Sequence, residues 1–300
     1  MDSAATVLMP SPPVADALDF SRLFMPEMLT PLYHTPAYGT LSEQQRLRYN
    51  QLNALYFNEQ IMFFEKALAR NVLGYFQRSA LPEALKSGLR QFADEEEQHS
   101  AMFLELNRRC SRLYRQQDFY FIRIPPAGAK LLEFMSKHPL WFPLLLWLMH
   151  LQEERSLFFG RVFLQFQEDL EPSFVALQRQ HLADEVGHVR WDEQLLAEIW
   201  PKTTYLLRRV NVRMLVWMID EYFSVPKRSS VRVVHELIQE FQDLRPRTNE
   251  LCQQLNALGS NAEYRRLLYS AETVPNSLAK FEAWPEFNNL RRRIFTGAET

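Results

Sequence analysis

The chain is constrained above all by one run, His181-Leu-Ala-Asp-Glu185-Val-Gly-His188. Its two histidines and one glutamate stand four and then three residues apart. At about 100° per residue, such positions fall within roughly 60° of one helix face. Two imidazoles and a carboxylate aimed at one point suit iron, zinc or manganese. The run has a partner, Glu96-Glu-Gln-His99, which is a second Glu-x-x-His. Glu65 stands 31 residues before Glu96, and Glu154 stands 31 residues before Glu185. One Glu-x-x-His arises easily by chance; two, each preceded by a helical glutamate at one distance, do not.

A helix pair that supplies a glutamate and then a Glu-x-x-His, used twice, is the four-helix arrangement that holds two metal ions. The spacing selects Glu154 over its neighbour Glu153, and Glu65 over Glu59, which lies about 120° round the helix. Metal-bound histidine usually donates its outer N–H to a carboxylate. Asp184 and Glu95 each precede a ligand glutamate, so Asp184 is expected to meet His99 and Glu95 to meet His188. The position in the first half that matches His181 is Phe92. The second half therefore carries one additional histidine, and the two metals are inequivalent. His34, His138, His150 and His235 carry no assigned role, although His150, one turn before Glu154, could face the cavity.

The rest of the sequence reads as all-α. Thr40-Leu-Ser-Glu43 has the form of a capping box. Helices are expected over about 41–78, 83–114, 127–137, 140–168, 173–199, 203–224, 229–243 and 247–258, and in pieces over 261–285. Proline marks several of the breaks. Residues 1–40, with six prolines, read as an arm that is disordered to about residue 16 and then wraps the domain. Residues 41–285 form one domain, with the four-helix core over about 41–200 and extra helices over 203–285, and 286–300 form a surface tail.

A net charge of -2 gives no nucleic-acid footprint. Cys110 and Cys252 cannot build a disulfide framework or a four-cysteine cluster and suit a reducing cytoplasm. The apolar stretch 139–151 is too short to cross a membrane and reads as a buried helix. No Gly-rich phosphate loop or dinucleotide fingerprint occurs, so no flavin or nicotinamide is expected.

Glu65, Glu96-x-x-His99, Glu154 and His181-x-x-x-Glu185-x-x-His188 resemble the di-iron N-oxygenases of the AurF and CmlI type, over about residues 41–225. The resemblance implies a ferritin-like di-iron core with additional C-terminal helices. It implies that all seven residues bind two iron ions, and that O2 and two electrons from an external donor form a peroxo-di-iron(III) oxidant. That oxidant would convert a small-molecule amine to a hydroxylamine and onward to nitroso or nitro products in natural-product biosynthesis. A homodimer is also implied. The alternatives are C–H hydroxylation, desaturation or halogenation on the same scaffold, and then a ferroxidase. For the substrate, Phe57, Phe64, Met102, Phe103, Trp147 and Phe158 suggest an apolar pocket, with Arg161 a candidate for a substrate carboxylate.

Overall fold

The computed structural model describes residues 17–224 and 227–294. Among them are helices and turns with no strand; one isolated bridge joins Leu23 to Leu170. The expected disorder before residue 16 lies outside the described residues.

The first helix, α1 (Glu43–Phe64), runs without a break through a π-helical segment, Glu65–Ala69, into α2 (Arg70–Gln77). α3 (Glu83–Cys110) returns beside it. After α4 (Pro126–Lys137), a second long hairpin follows, α5 (Leu144–Gln165) and α6 (Pro172–Ile199). These two hairpins form the four-helix core. Packed around it are α7 (Tyr205–Met218), α8 (Ser229–Glu240), α9 (Thr248–Ala257), α10 (Ala262–Leu268), α11 (Pro275–Glu282) and α12 (Asn288–Ile294).

Local chemistry sets the ends of these helices. The capping box on α1 is made by Ser42 and Gln45 rather than by Thr40 and Glu43, two residues later than the sequence suggested. Thr40 instead closes a short 3-10 turn and accepts from Arg247. Pro172 sits at the start of α6, where its missing N–H costs nothing, and Glu171 takes the amides of Ser173 and Phe174. The stretch Leu144–Leu151 is buried all round, because α5 is enclosed by α6 and by helices from the second half of the chain. No helix among the described residues is long and apolar enough to cross a membrane.

The arm wraps α1 as expected. Asn50 accepts from the amides of Phe24 and Met25 and donates to the carbonyl of Met25, and Tyr49 accepts from the amide of Leu32. The expected surface tail differs over 286–294, and its remainder, 295–300, lies outside the described residues. Phe287, Leu290 and Ile294 are buried in the same core as Phe24 and Leu41, so the body of the fold extends past 285. Short apolar spacings at the end of a chain are weak signals until a partner face is known.

Candidate metal centre

The centre lies where the two hairpins face each other. Glu65, Glu96, His99, His181, Glu185 and His188 converge there, each at most 4% exposed. Two overlapping groups, Glu96-His99-Glu185-His188 and Glu65-His99-His181, each place one donor atom per residue within 4.8 Å of the others. His99 and His188 turn Nδ1 inward. His188 Nδ1 lies 3.2 Å from Glu96 Oε1 and 3.4 Å from Glu185 Oε1, while His99 Nδ1 lies 3.8 and 3.9 Å from the same two oxygens. His181 enters through Nε2, 2.8 Å from Glu185 Oε1 and 3.6 Å from Glu65 Oε1.

The outer faces of the two Glu-x-x-His histidines are tied as expected. His99 Nε2 is 3.0 Å from Asp184 Oδ2, and His188 Nε2 is 3.0 Å from Glu95 Oε2. Each contact crosses from one hairpin to the other, so it fixes both ring orientation and hairpin registry. Ser100 donates to Glu65 Oε2 at 2.5 Å.

The choice between Glu153 and Glu154 comes out against the sequence expectation. Glu153, 4% exposed, places Oε2 3.7 Å from His188 Nδ1. Glu154 points elsewhere, accepting from the amides of Asn276 and Ser277, each at 2.7 Å. The reason is one residue of loop. Glu65 and Glu153 both lie twelve residues before their helix ends, at Gln77 and Gln165. Glu96 and Glu185 are both the fourteenth residue of their helix. The connection is five residues in the first hairpin, Arg78–Pro82, and six in the second, Phe166–Glu171. Equivalent positions are therefore 31 and 32 residues apart, and counting back 31 lands about 100° off the inward face. The helix lengths, rather than the total spacing, carry the signal.

Glu59, set aside on angular grounds, has separate work. It accepts from the Tyr114 hydroxyl and from the amides of Tyr120, Phe121 and Ile122, pinning the loop after α3. His150 is buried beside Glu154, at 3.8 Å, and burial pushes its pKa down to about 3, so it stays neutral.

The electrostatics describe a centre that requires positive charge. Burial raises Glu65, with Glu96 adding to the effect, and burial with the charge of Glu185 pushes Glu153 far up. Burial acts in the same sense on Glu185 and Glu96, but the neighbouring histidines outweigh it and hold both below the usual carboxylate range. Burial would lower His99, yet hydrogen bonds to Asp184 and Glu96 raise it to about 10. Against burial, Glu185 and Glu65 raise His181, and Glu185, Glu153 and Glu95 raise His188. Glu65 Oε1, Glu96 Oε2, His99 Nδ1, His188 Nδ1 and Glu185 Oε2 are buried without a hydrogen-bond partner. Such orphaned atoms are costly unless a cation takes them. Four carboxylates balance two divalent ions, and the mixed oxygen and imidazole donors suit iron. The residues fit a dinuclear metal group.

A cavity of about 380 Å³ opens onto the centre, with Glu65, Glu96, Glu153, His181 and Glu185 in its wall. Of the apolar candidates, Phe57 and Phe64 line it. Trp147 packs instead on Trp200, and Phe103 on His181. Arg161 is exposed and plays no part in it. Four cations line the wall, Arg123, Arg155, Lys227 and Arg228; Lys227 and Arg228 pair with Glu221, whereas Arg155 is stacked over Phe159 and Tyr269 and bonded to Gln152, with its Nε buried and without a partner. Arg155 faces the pocket from the side of α5 that also presents Gln152, a spacing of three that the sequence offered. Nothing in the sequence showed that this side lined a cavity.

The chain matches the family described as P-aminobenzoate N-oxygenase AurF over residues 10–258. No curated protein matches it.

Proposed function

The chain belongs to the AurF family of p-aminobenzoate N-oxygenases, and from that premise we propose that it oxidises the nitrogen of a small-molecule amine at a di-iron centre. Glu65, Glu96, His99, Glu153, His181, Glu185 and His188 would hold the two irons. Bound iron supplies the redox chemistry that lets O2 react with an amine. The first step inserts one oxygen atom into an N–H bond to give a hydroxylamine. The other atom leaves as water, with two electrons and two protons drawn from an external donor. Repetition would carry the product to nitroso and nitro levels.

The observation that carries this reading is the position of the orphaned, buried donor set at the end of a cavity large enough for a small organic molecule. The chain's own residues orient the substrate. Phe57 and Phe64 exclude water, and Arg155, whose Nε is buried without a hydrogen-bond partner, meets an anionic or acceptor group remote from the nitrogen. His181 and Glu65 line the pocket while His99 and His188 do not, so the nitrogen approaches from the His181 side. A charge-assisted contact contributes about 1.5–3 kcal/mol. Arg155→Met is therefore expected to raise KM by roughly 10- to 100-fold while both irons stay bound. A homodimer and a cytoplasmic setting, which the free thiols of Cys110 and Cys252 suit, belong to the same proposal.

The test is to load the protein with iron, reduce it without air, and add 18O2 with a panel of aryl and aliphatic amines that includes p-aminobenzoate. Two irons per chain and a labelled N-oxygenated product are expected. Label on carbon would favour C–H hydroxylation on this scaffold. Iron oxidised without any change in the amine would favour a ferroxidase. A chain that takes up zinc but not iron would end the di-iron reading.

A further inference from the structure

Two adjacent carboxylates on α5 face different ways, and the second has an unusual partner. Glu154 is 3% exposed, and both its oxygens are taken by consecutive backbone amides, Asn276 and Ser277, each at 2.7 Å. Those amides belong to the first turn of α11, which begins at Pro275. Free N–H groups at a helix start, together with the helix dipole, favour a carboxylate there. A second attachment lies seven residues back along α5, where Trp147 packs on Phe281, ring centroids 5.1 Å apart, near the other end of α11. Positions seven apart share one helix face. α11 therefore lies along α5 and holds it at two points, one polar and one aromatic. Two fixed points on one face resist rotation of α5 about its axis, in addition to its packing on α6.

The rotation matters because Glu153 and Glu154 differ by about 100°. Whichever of them is held outward determines which of them faces the metals. We propose that Glu154 is a positioning residue. Clamped by the start of α11, it fixes the rotation of α5 and so delivers Glu153 to the His188 side of the centre. This inference rests on the di-iron reading above and goes beyond it. It gives a role in metal binding to the segment after residue 258, which lies outside the family match. The clamp acts on one metal position more than the other, because Glu153 stands beside His188.

The test uses the full chain, Co2+ as probe, and three proteins: the unchanged chain, Glu154→Ala and Glu153→Ala. Co2+ absorption reports both how many ions bind and how many ligands each has. The unchanged chain is expected to bind two ions. Glu153→Ala is expected to weaken one of them at least tenfold through loss of a ligand. Glu154→Ala, whose residue touches neither ion, is expected to weaken the same ion by a similar factor and to change its spectrum. Amide exchange at Asn276 and Ser277 is expected to speed up in Glu154→Ala alone. Glu154→Gln, which keeps one acceptor oxygen, is expected to fall between, and it serves in place of the alanine variant if that variant does not fold. Two ions bound with unchanged affinity and spectrum in Glu154→Ala or Glu154→Gln, at whatever cost in melting temperature, would overturn the positioning role and leave the di-iron reading standing. An unchanged chain that binds no pair of ions would overturn both.

Discussion

The two helix hairpins of the core look like copies, yet they treat their histidines differently. Phe92 is the tenth residue of α3 and His181 the tenth residue of α6. Each packs on the Glu-x-x-His histidine of the opposite hairpin. Phe92 stacks on His188, centroids 4.0 Å apart and planes 21° apart, with Trp191 beside it. His181 meets His99 edge-on at 4.7 Å and leans on Phe103. One side of the centre is thus backed by stacked aromatic rings, while the other carries an additional imidazole that lines the cavity. Quasi-symmetry supplies the frame, and a single exchange of phenyl for imidazole is where the two halves of the centre differ.

The largest effect expected from this comparison is on stability at the aromatic side. Phe92 is fully buried. Phe92→Ala would leave a cavity against His188 and Trp191, at a cost of about 3–5 kcal/mol. Denaturant melts of the metal-free protein check this; a loss below about 1 kcal/mol would mean that the stacked rings add little.

At the side of the additional imidazole, His181→Ala is expected to spare the fold and damage the chemistry. Circular dichroism should be unchanged, while turnover of the amine falls by about a hundredfold or more, worth about 2.7 kcal/mol in the barrier. Turnover equal to the unchanged chain would show that the additional imidazole is dispensable and that the asymmetry between the hairpins has no chemical use.

How far this difference was legible beforehand depends on which elements carried it. Phe92 and His181 could be matched because both stand four residues before a Glu-x-x-His, inside unbroken helix, where position fixes direction. Asp184 and Glu95 were legible for the same reason. Glu153 was not, because its distance to Glu185 runs through a loop, and a loop may gain a residue without disturbing either helix. The capping box at Ser42 and the buried segment from Phe287 to Ile294 were missed for a related cause: several adjacent residues could have served, and tertiary contacts chose among them. Arg155 was invisible as a pocket residue, because helical phase shows that a face exists but not what lies opposite it.

A smaller effect is expected where a ring of one hairpin presses on the backbone of the other. Gly88 on α3 lies under Trp191 of α6, and an added Cβ would come 2.3 Å from its indole nitrogen. Gly88→Ala must displace Trp191, the ring that borders both Phe92 and His188. A cost of about 1–3 kcal/mol is expected, with weaker metal binding on the His188 side only. Equal loss at both metal positions would show that the hairpins respond as one body.

The smallest expected effect is a pH dependence that separates the metal-free from the metal-loaded protein. Without metal, His99 is held protonated up to about 10. Its folded value is above its ordinary value of 6.5, so its contribution to stability is whole below pH 6.5 and is lost as pH rises through 10. Glu65 and Glu153, raised mainly by burial, act in the same direction, because ionising them costs the folded state more than the unfolded one. Glu96 and Glu185 are lowered, so their contribution is lost only in acid, outside this window. The melting temperature of the metal-free protein should therefore fall from pH 7 to pH 10, by an amount of order 5 °C. Bound metal requires neutral imidazole and ionised carboxylate, so loading the centre should release protons at pH 7 and flatten the slope. Parallel melting curves, or metal uptake without proton release in a weakly buffered titration, would contradict the charge balance argued for this centre.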